Sequence, residues 1–304
     1  MKICSLLPSA TEIVCALGLD EELVAVTHEC DYPPQVKNKP VITSSVLEHS
    51  NSSSLHIHEG ITGLLHEGKS IYRLDERRLA ELKPDLILTQ ELCEVCAVSY
   101  SIVQEAARIL EGQTEIISLE PNFFNDILAN IRLVGQKTGR EQEAKQLIDR
   151  FEERINFVVT RTSHITDRPR VYCMEWLEPP FAAGHWIPEM VSMAGGKEGL
   201  GILGQPSEQI AWQEVLDFAP EIIILMPCGF DLQRTLIEAE RLRSLPGWGG
   251  LPAVKQQRVF AVDGSAYFNR PGPRIVDGLE ILAQIIHPEI FSFSFPTGTL
   301  QNFV

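Results

Sequence analysis

Two distant segments of this chain carry one pattern, and that pattern restricts the fold more than any other feature. Leu82-Lys83-Pro84-Asp85-Leu86-Ile87-Leu88 reads as a helix end, a proline stop and a buried strand, and Phe218-Ala219-Pro220-Glu221-Ile222-Ile223-Ile224-Leu225 repeats it. Proline ends a helix because it lacks an amide hydrogen and pushes the residue before it out of helical space. The uninterrupted apolar run that follows suits a strand covered on both faces, as in a parallel sheet flanked by helices. Two such passages predict two similar α/β lobes. Ligands of open α/β sheets sit outside the carboxyl ends of the strands, so a ligand cleft between the lobes is expected. Each strand also runs into cysteine, Cys93 and Cys96 after the first and Cys228 after the second.

Strand-like runs at 23–27, 41–43, 85–89 and 115–119 alternate with helical patterns at 10–17, 55–65 and 99–110, which is the grammar of a helix-covered parallel sheet. From residue 125 to 163 there is no proline, and Ile127, Ile131, Val134, Leu147, Phe151, Ile155 and Val158 recur at helical spacing. This segment reads as a long helical connector, with Gly135 and Gly139 as the places where it kinks. A second lobe follows, with strands expected at 170–176, 221–226 and 258–262 and a closing helix at 271–286. Residues 292–304 lack periodicity and read as peripheral or disordered. The expected organisation is an N-terminal lobe at 1–122, a connecting helix at 123–164, a C-terminal lobe at 165–290 and a tail at 291–304. The fold class is α/β, with two parallel-sheet Rossmann-like lobes joined by a long helix.

A chain of 304 residues is long enough for two cores. Its 26 basic and 41 acidic residues give a net charge of −15. No basic run is present to neutralise phosphates, which excludes nucleic acid as a main partner. No apolar stretch is long enough to span a bilayer, so membrane insertion is excluded as well. Lys2-Ile3-Cys4-Ser5-Leu6-Leu7 reads as a first core strand, and Ser9 and Glu12 stand at capping-box spacing in the helix start that follows. Read this way, the first residues belong to the fold rather than to a secretory leader. Seven cysteines, an odd number without framework spacing, fit a reducing compartment. A cytoplasmic protein is expected.

In their order along the chain, Leu7-Pro8-Ser9-Ala10-Thr11-Glu12, Asp31-Tyr32-Pro33-Pro34, Leu82-Lys83-Pro84-Asp85-Leu86-Ile87, Pro179-Pro180-Phe181 and Gly195-Gly196 resemble one family. It is the helical-backbone (class III) substrate-binding proteins of ABC importers for cobalamin, siderophores and haem, closest to the cobalamin-binding branch. The resemblance covers about residues 1–290. It implies two lobes closing modestly on a large metal-containing ligand, with an ABC transporter or a downstream acceptor protein as partner. Cobalamin binders place aromatics just before the Asp-Tyr-Pro-Pro motif and just after the Pro-Asp strand. This chain has His28-Glu29-Cys30 and Gln90-Glu91-Leu92-Cys93 there.

The candidate ligand-binding residues follow the strands. Pro8 belongs to the first motif. His28, Glu29 and Cys30 end the second strand, and His28 and Cys30 would share a side if the chain stayed extended; the alternative is a backbone-bonded His28 and a merely buried Cys30. Cys93 and Cys96 form a CxxC ahead of a helix, with a redox dithiol, half a zinc site or soft ligands for a metal complex as open readings. Glu175, Trp176, His185 and Trp186 surround a proline-rich turn and are candidates for a flat apolar wall with polar groups to orient a planar ligand; alternatively both tryptophans pack beneath the loop. Cys228 follows the repeated strand. Tyr267, Phe268 and Arg270 follow the last strand, where family members place an aromatic against the ligand. The candidate metal set is Cys30, Cys93, Cys96, His185 and Cys228. Cys4, Cys15 and Cys173 read as inert core, and His49, His56, His58 and His66 as surface, with metal binding as the alternative.

No nucleophile elbow, phosphate loop or dinucleotide glycine pattern occurs, so a binding protein is expected rather than an enzyme. The ligand expected is cobalamin, another tetrapyrrole or a comparable small-molecule metal complex. The alternative is a cytoplasmic carrier of a thiolate-bound metal such as zinc, or a redox enzyme, using the same cysteines.

Overall fold

Both copies of the repeated pattern fold alike. In the computed structural model of the protein, which describes residues 1–47, 52–67, 69–90 and 114–304, the helices Glu76–Leu82 and Trp212–Phe218 stop at Lys83 and Ala219. Both cap residues are left-handed, with φ of 49° and 50°. After the proline, one carboxylate hands the chain into the sheet each time. Asp85 donates its amide to Lys2 O at 2.8 Å and accepts the Lys2 amide on Oδ2 at 2.7 Å. Glu221 donates to Arg170 O at 2.8 Å and accepts the Arg170 amide on Oε2 at 2.9 Å. A bond from an amide to an ionised carboxylate is stronger than a neutral one, so the acid of the pattern fixes strand register in both halves.

The described residues divide into two units. The first comprises Met1–Ser52, His56–Pro121 and Asn125–Ile148. Its strands are β1 (Ile3–Ser5), β2 (Leu23–Ala25), β3 (Thr43–Ser45), β4 (Tyr72–Leu74), β5 (Leu86–Thr89) and β6 (Glu115–Ser118). The order β2-β1-β5-β6 makes one parallel sheet, and β3 and β4 pair separately as a two-stranded antiparallel sheet. All four residues of β5 are buried, as its apolar run required. The strand expected at 41–43 lies instead at Thr43–Ser45, with only a bridge from Val41 to Val26. The helix Pro8–Ala16 starts on Pro8, with extended Leu7 as its cap and no side-chain cap. The capping box expected from Ser9 and Glu12 does not form, because the helix begins one residue before Ser9 could cap it, and both side chains are buried. The helix expected at 99–110 lies outside the described residues.

The connector is built as two helices, Phe124–Thr138 and Glu141–Thr162. Gly139, with φ of +67°, supplies the break, a conformation that a residue with a Cβ adopts at a cost of about 1 kcal/mol. The chain leaves the first unit within the second of these helices, after Ile148.

The second unit comprises Ser53–Leu55, Asn122–Phe124 and Asp149–Val304. Its strands are β7 (Val171–Trp176), β8 (Phe181–Ala182), β9 (Glu208–Gln209), β10 (Ile222–Leu225), β11 (Val259–Val262) and β12 (Leu300–Asn302), in the order β12-β11-β10-β7-β8-β9. The centre, β11-β10-β7, is parallel as expected, while β12, β8 and β9 add antiparallel edges. Tyr172, Met174, Ile223, Leu225, Val259, Trp248 and Phe303 belong to one buried core. The tail is therefore not disordered. β12 pairs with β11, Phe303 is buried against Trp248 at a ring separation of 6.5 Å, and Arg243 lies over the Phe303 ring while donating to its carbonyl. The anchor is one aromatic residue, too short a signal to show as periodicity. Elsewhere in this unit Arg154 ties the helix Glu141–Thr162 to the helix Ile275–Ile286 through Asp277 (2.5 Å) and Glu280 (2.6 and 2.8 Å).

Candidate functional site

In the first unit the candidate residues gather after β2. The chain turns at His28 and Glu29 instead of staying extended, with the Cys30 amide on Thr27 O at 3.2 Å. His28 and Cys30 therefore face different neighbours. Cys30 is buried, its sulfur 3.1 Å from Thr11 Oγ1 and 3.2 Å from Thr27 Oγ1. Thr11 in turn donates to Ser5 Oγ at 2.8 Å, so the thiol closes a small polar network that also anchors the helix begun by half-buried Pro8. His28 goes to the β3–β4 sheet. Thr43 Oγ1 accepts its amide at 3.1 Å and meets Nδ1 at 2.8 Å, and the Tyr72 ring lies 5.4 Å away. Its Nε2 is buried without a hydrogen-bond partner among the described residues, with the Glu29 carboxylate 3.4 Å off. Burial pushes the His28 pKa down against the opposing pull of Glu29, so the ring is neutral at pH 7. Gln90, at the end of β5, is buried. Cys93 and Cys96 lie outside the described residues.

In the second unit β7 delivers Glu175 and Trp176 at its carboxyl end, and β10 delivers Cys228, whose amide reaches Glu175 O at 3.0 Å. Ser207 donates to Glu175 Oε2 at 2.6 Å and accepts the Gly184 amide at 2.9 Å. Burial pushes the Glu175 carboxyl up to about 7 although the Ser207 bond opposes the rise. Trp176, half-buried, donates Nε1 to Ser54 O at 3.2 Å and packs on Phe230 at 5.3 Å. Trp186 is buried, with Nε1 on Phe268 O at 3.0 Å, and Phe268 is itself fully buried. Those two rings pack in the core of their unit, so the exposed aromatic surface expected here comes down to Trp176 and half-buried Tyr267. The Tyr267 hydroxyl meets Thr299 Oγ1 at 3.4 Å, and Arg274 lies 5.8 Å over its ring. Arg270 is half-buried, and its charge, with that of Arg274, opposes the burial that raises the Asp263 pKa.

His185 sits in the left-handed region at φ +49°, held there by its amide on Gln205 O at 2.6 Å and by the Gly204 amide on its carbonyl at 2.9 Å. Its neighbour must be glycine, since a Cβ on Gly184 would lie 2.2 Å from Gln205 O. The imidazole stacks on Trp186 at 5.5 Å, its pKa is lowered by burial, and its Nδ1 is buried with no hydrogen-bond partner among the described residues. Cys4 and Cys173 are buried and Cys15 half-buried. Among the described residues no three His, Cys, Asp or Glu side chains group so as to hold a metal ion. Cys30, in the first unit, and His185 and Cys228, in the second, thus complete no such group within the described residues. Thr43 and Ser207, which orient His28 and Glu175, were invisible in sequence: each is a single hydroxyl whose partner is many residues away.

A family model described as periplasmic binding protein matches residues 3–266. An ABC transporter substrate-binding lipoprotein of Bacillus subtilis is 27% identical over 95% of this chain and 81% of its own length. The vitamin B12-binding protein of Vibrio cholerae is 26% identical over 92% of this chain and 86% of its own. The solved structure of the periplasmic heme-binding protein RhuT from Roseiflexus, 22% identical, superposes with a TM-score of 0.70 over 95% of this chain and 99% of that one; at that identity the likeness is one of fold. Related proteins thus bind cobalamin or haem, and they are substrate-binding proteins rather than enzymes. The expectation of a cytoplasmic protein is overturned, because these relatives are periplasmic proteins or lipoproteins, which work outside the cytoplasm. That Ile3–Ser5 is a core strand determines how those residues fold and leaves the compartment undetermined.

Proposed function

Because this chain belongs to the periplasmic binding protein family, we propose that it is the substrate-binding protein of an ABC importer and that its ligand is a metal-centred tetrapyrrole of the cobalamin or haem kind. The observation that carries the ligand class is His28. Its ring is neutral at pH 7, oriented through Nδ1 by Thr43, and its Nε2 has no hydrogen-bond partner among the described residues. A metal-binding imidazole needs those three properties, a free lone pair, neutrality and a second group that fixes the ring. Rotation of the exposed Glu29 side chain would uncover Nε2. His185 supports the same reading from the second unit, with a neutral, unpartnered imidazole held in strained backbone. Trp176 offers an indole face to a large flat ligand. The alternative of a cytoplasmic thiol-metal carrier loses its compartment.

Titration with hemin and with aquocobalamin, followed by visible absorption and by tryptophan fluorescence, tests this. One of the two is expected to bind with a shift of its absorption bands that marks nitrogen ligation. His28→Ala and His185→Ala, made separately, identify which imidazole meets the metal, and loss of that ligand is expected to weaken binding by about tenfold or more. Failure of both compounds to bind, or binding and spectra unchanged in both variants, overturns the reading.

A further inference from the structure

A cavity of about 600 Å³ opens on the second unit, between the segment that precedes β7 and the loop that follows the helix Ile187–Met193. It lies at the amino end of β7, where Lys197 bridges Arg170 and sends its amide to Pro169 O. This is the opposite end of the strand from Glu175 and Trp176; of the candidate residues described above, His185 is the one that adjoins it, through its backbone bridge to Leu203.

Its lining carries both signs of charge in a chain that is acidic overall. Asp167, Arg168, Lys197 and Glu198 all line it, together with Ser192 and Leu203. Glu198 is the informative member. Its Oε2 accepts the amides of Leu200 at 2.9 Å and Gly201 at 2.8 Å, which fixes the turn and the carboxyl together. Its Oε1 is buried and has no hydrogen-bond partner among the described residues. Folded proteins seldom leave a buried carboxyl oxygen unmatched, because it has given up its bonds to water for nothing in return. Arg168 is held rigidly by carbonyls, Nη1 on Ser192 O at 3.0 Å and Nε on Ile165 O at 3.4 Å, so its charge is positioned without being neutralised. The Lys197 ammonium forms no ion pair among the described residues, and its side chain is exposed.

We propose that this cavity is a second binding site, for a small zwitterion whose carboxylate meets Lys197 and Arg168 and whose ammonium group meets the Glu198 carboxyl once a small shift of its turn uncovers Oε1. Two opposite charges on one small molecule match the opposite charges of Glu198 and Arg168, which are held in place on the protein, whereas a simple anion would be repelled by Asp167 and Glu198 and a simple cation by Arg168 and Lys197. The burial that pushes the Glu198 carboxyl up to about 7 is what an incoming ammonium would offset. The residues that carry the charges of this site, Asp167, Arg168, Lys197 and Glu198, take no part in the tetrapyrrole reading, although Leu203 of the lining is bridged to His185.

The test is isothermal titration of the whole protein with glycylglycine, with methylamine and acetate as single-charge probes. Glycylglycine is expected to bind, and each single-charge probe to bind at least about tenfold more weakly, the worth of one charged contact. Glu198→Gln retains an acceptor for the turn amides and is expected to lose about tenfold in affinity. Lys197→Met alters only an exposed side chain, so it folds whatever becomes of the first variant, and the same loss is expected of it. No binding of glycylglycine, an equal response to methylamine or acetate alone, or affinity unchanged in Lys197→Met overturns the proposal.

Discussion

Replacing Glu175 by glutamine should make the protein more stable in neutral solution and leave it almost unaltered in acid. The carboxyl has an ordinary value of 4.5 and is pushed up to about 7 by burial. A carboxyl whose folded value is raised favours the folded state while it is protonated. That contribution is complete below pH 4.5, is lost as the pH rises through 7, and does not change further above it. At about 1.4 kcal/mol per pH unit, the rise from 4.5 to about 7 corresponds to about 3 kcal/mol. The residue is half-buried, so solvent screening reduces the expected effect to about 2 kcal/mol. Glutamine still offers an acceptor to the Ser207 hydroxyl, which lies 2.6 Å from Oε2, but has nothing to ionise. Urea denaturation of both proteins at intervals from pH 4.5 to 8 is the assay. The stability difference between variant and wild type should grow in the variant's favour by about 2 kcal/mol across that window and then level off, which is about 3 °C in melting temperature for a chain of this length. Glu198 has a similar rise, but it titrates in both proteins and cancels from the comparison. Parallel curves for the two proteins would refute the reasoning, for they would mean that Glu175 is solvated and titrates normally.

Phe303→Ala should cost about 3 kcal/mol in the same assay, the usual price of emptying a buried aromatic site, because the ring packs on Trp248 and lies beneath Arg243; a loss under about 0.5 kcal/mol would mean that the tail is peripheral after all. Ala219→Gly should stabilise by about 0.5–1 kcal/mol, since φ of +50° is strained for alanine and free for glycine; a measured destabilisation would show that the cap relaxes out of the left-handed region.

How the chain would fold was largely legible, because the repeated proline-acid-strand pattern is local. Helix stop, left-handed cap and strand entry all lie within a few consecutive residues, and the acid that fixes register is part of the pattern. Of the two glycines expected to kink the connector, Gly139 breaks it, whereas Gly135 lies inside the helix Phe124–Thr138. What escaped the sequence was contact between distant residues. Phe303 becomes an anchor only because β11 runs beside it, and the β8 and β9 edges exist only because the proline turn returns the chain along β7. Whether Trp186 and Phe268 form a ligand wall or a core is set by a bond from one to the carbonyl of the other, between residues 82 positions apart. Periodicity reports which residues are apolar, and an apolar residue has the same signature under a loop as in a binding wall. The sequence by itself thus determined the central parallel strands, the helices beside the repeated pattern and the family, since these depend on backbone chemistry between near neighbours. Only the tertiary structure decided which of the candidate side chains were spent on packing and which, like His28 and His185, kept a polar atom unmatched among the described residues, because hydrogen-bond satisfaction is a property of the assembled surroundings.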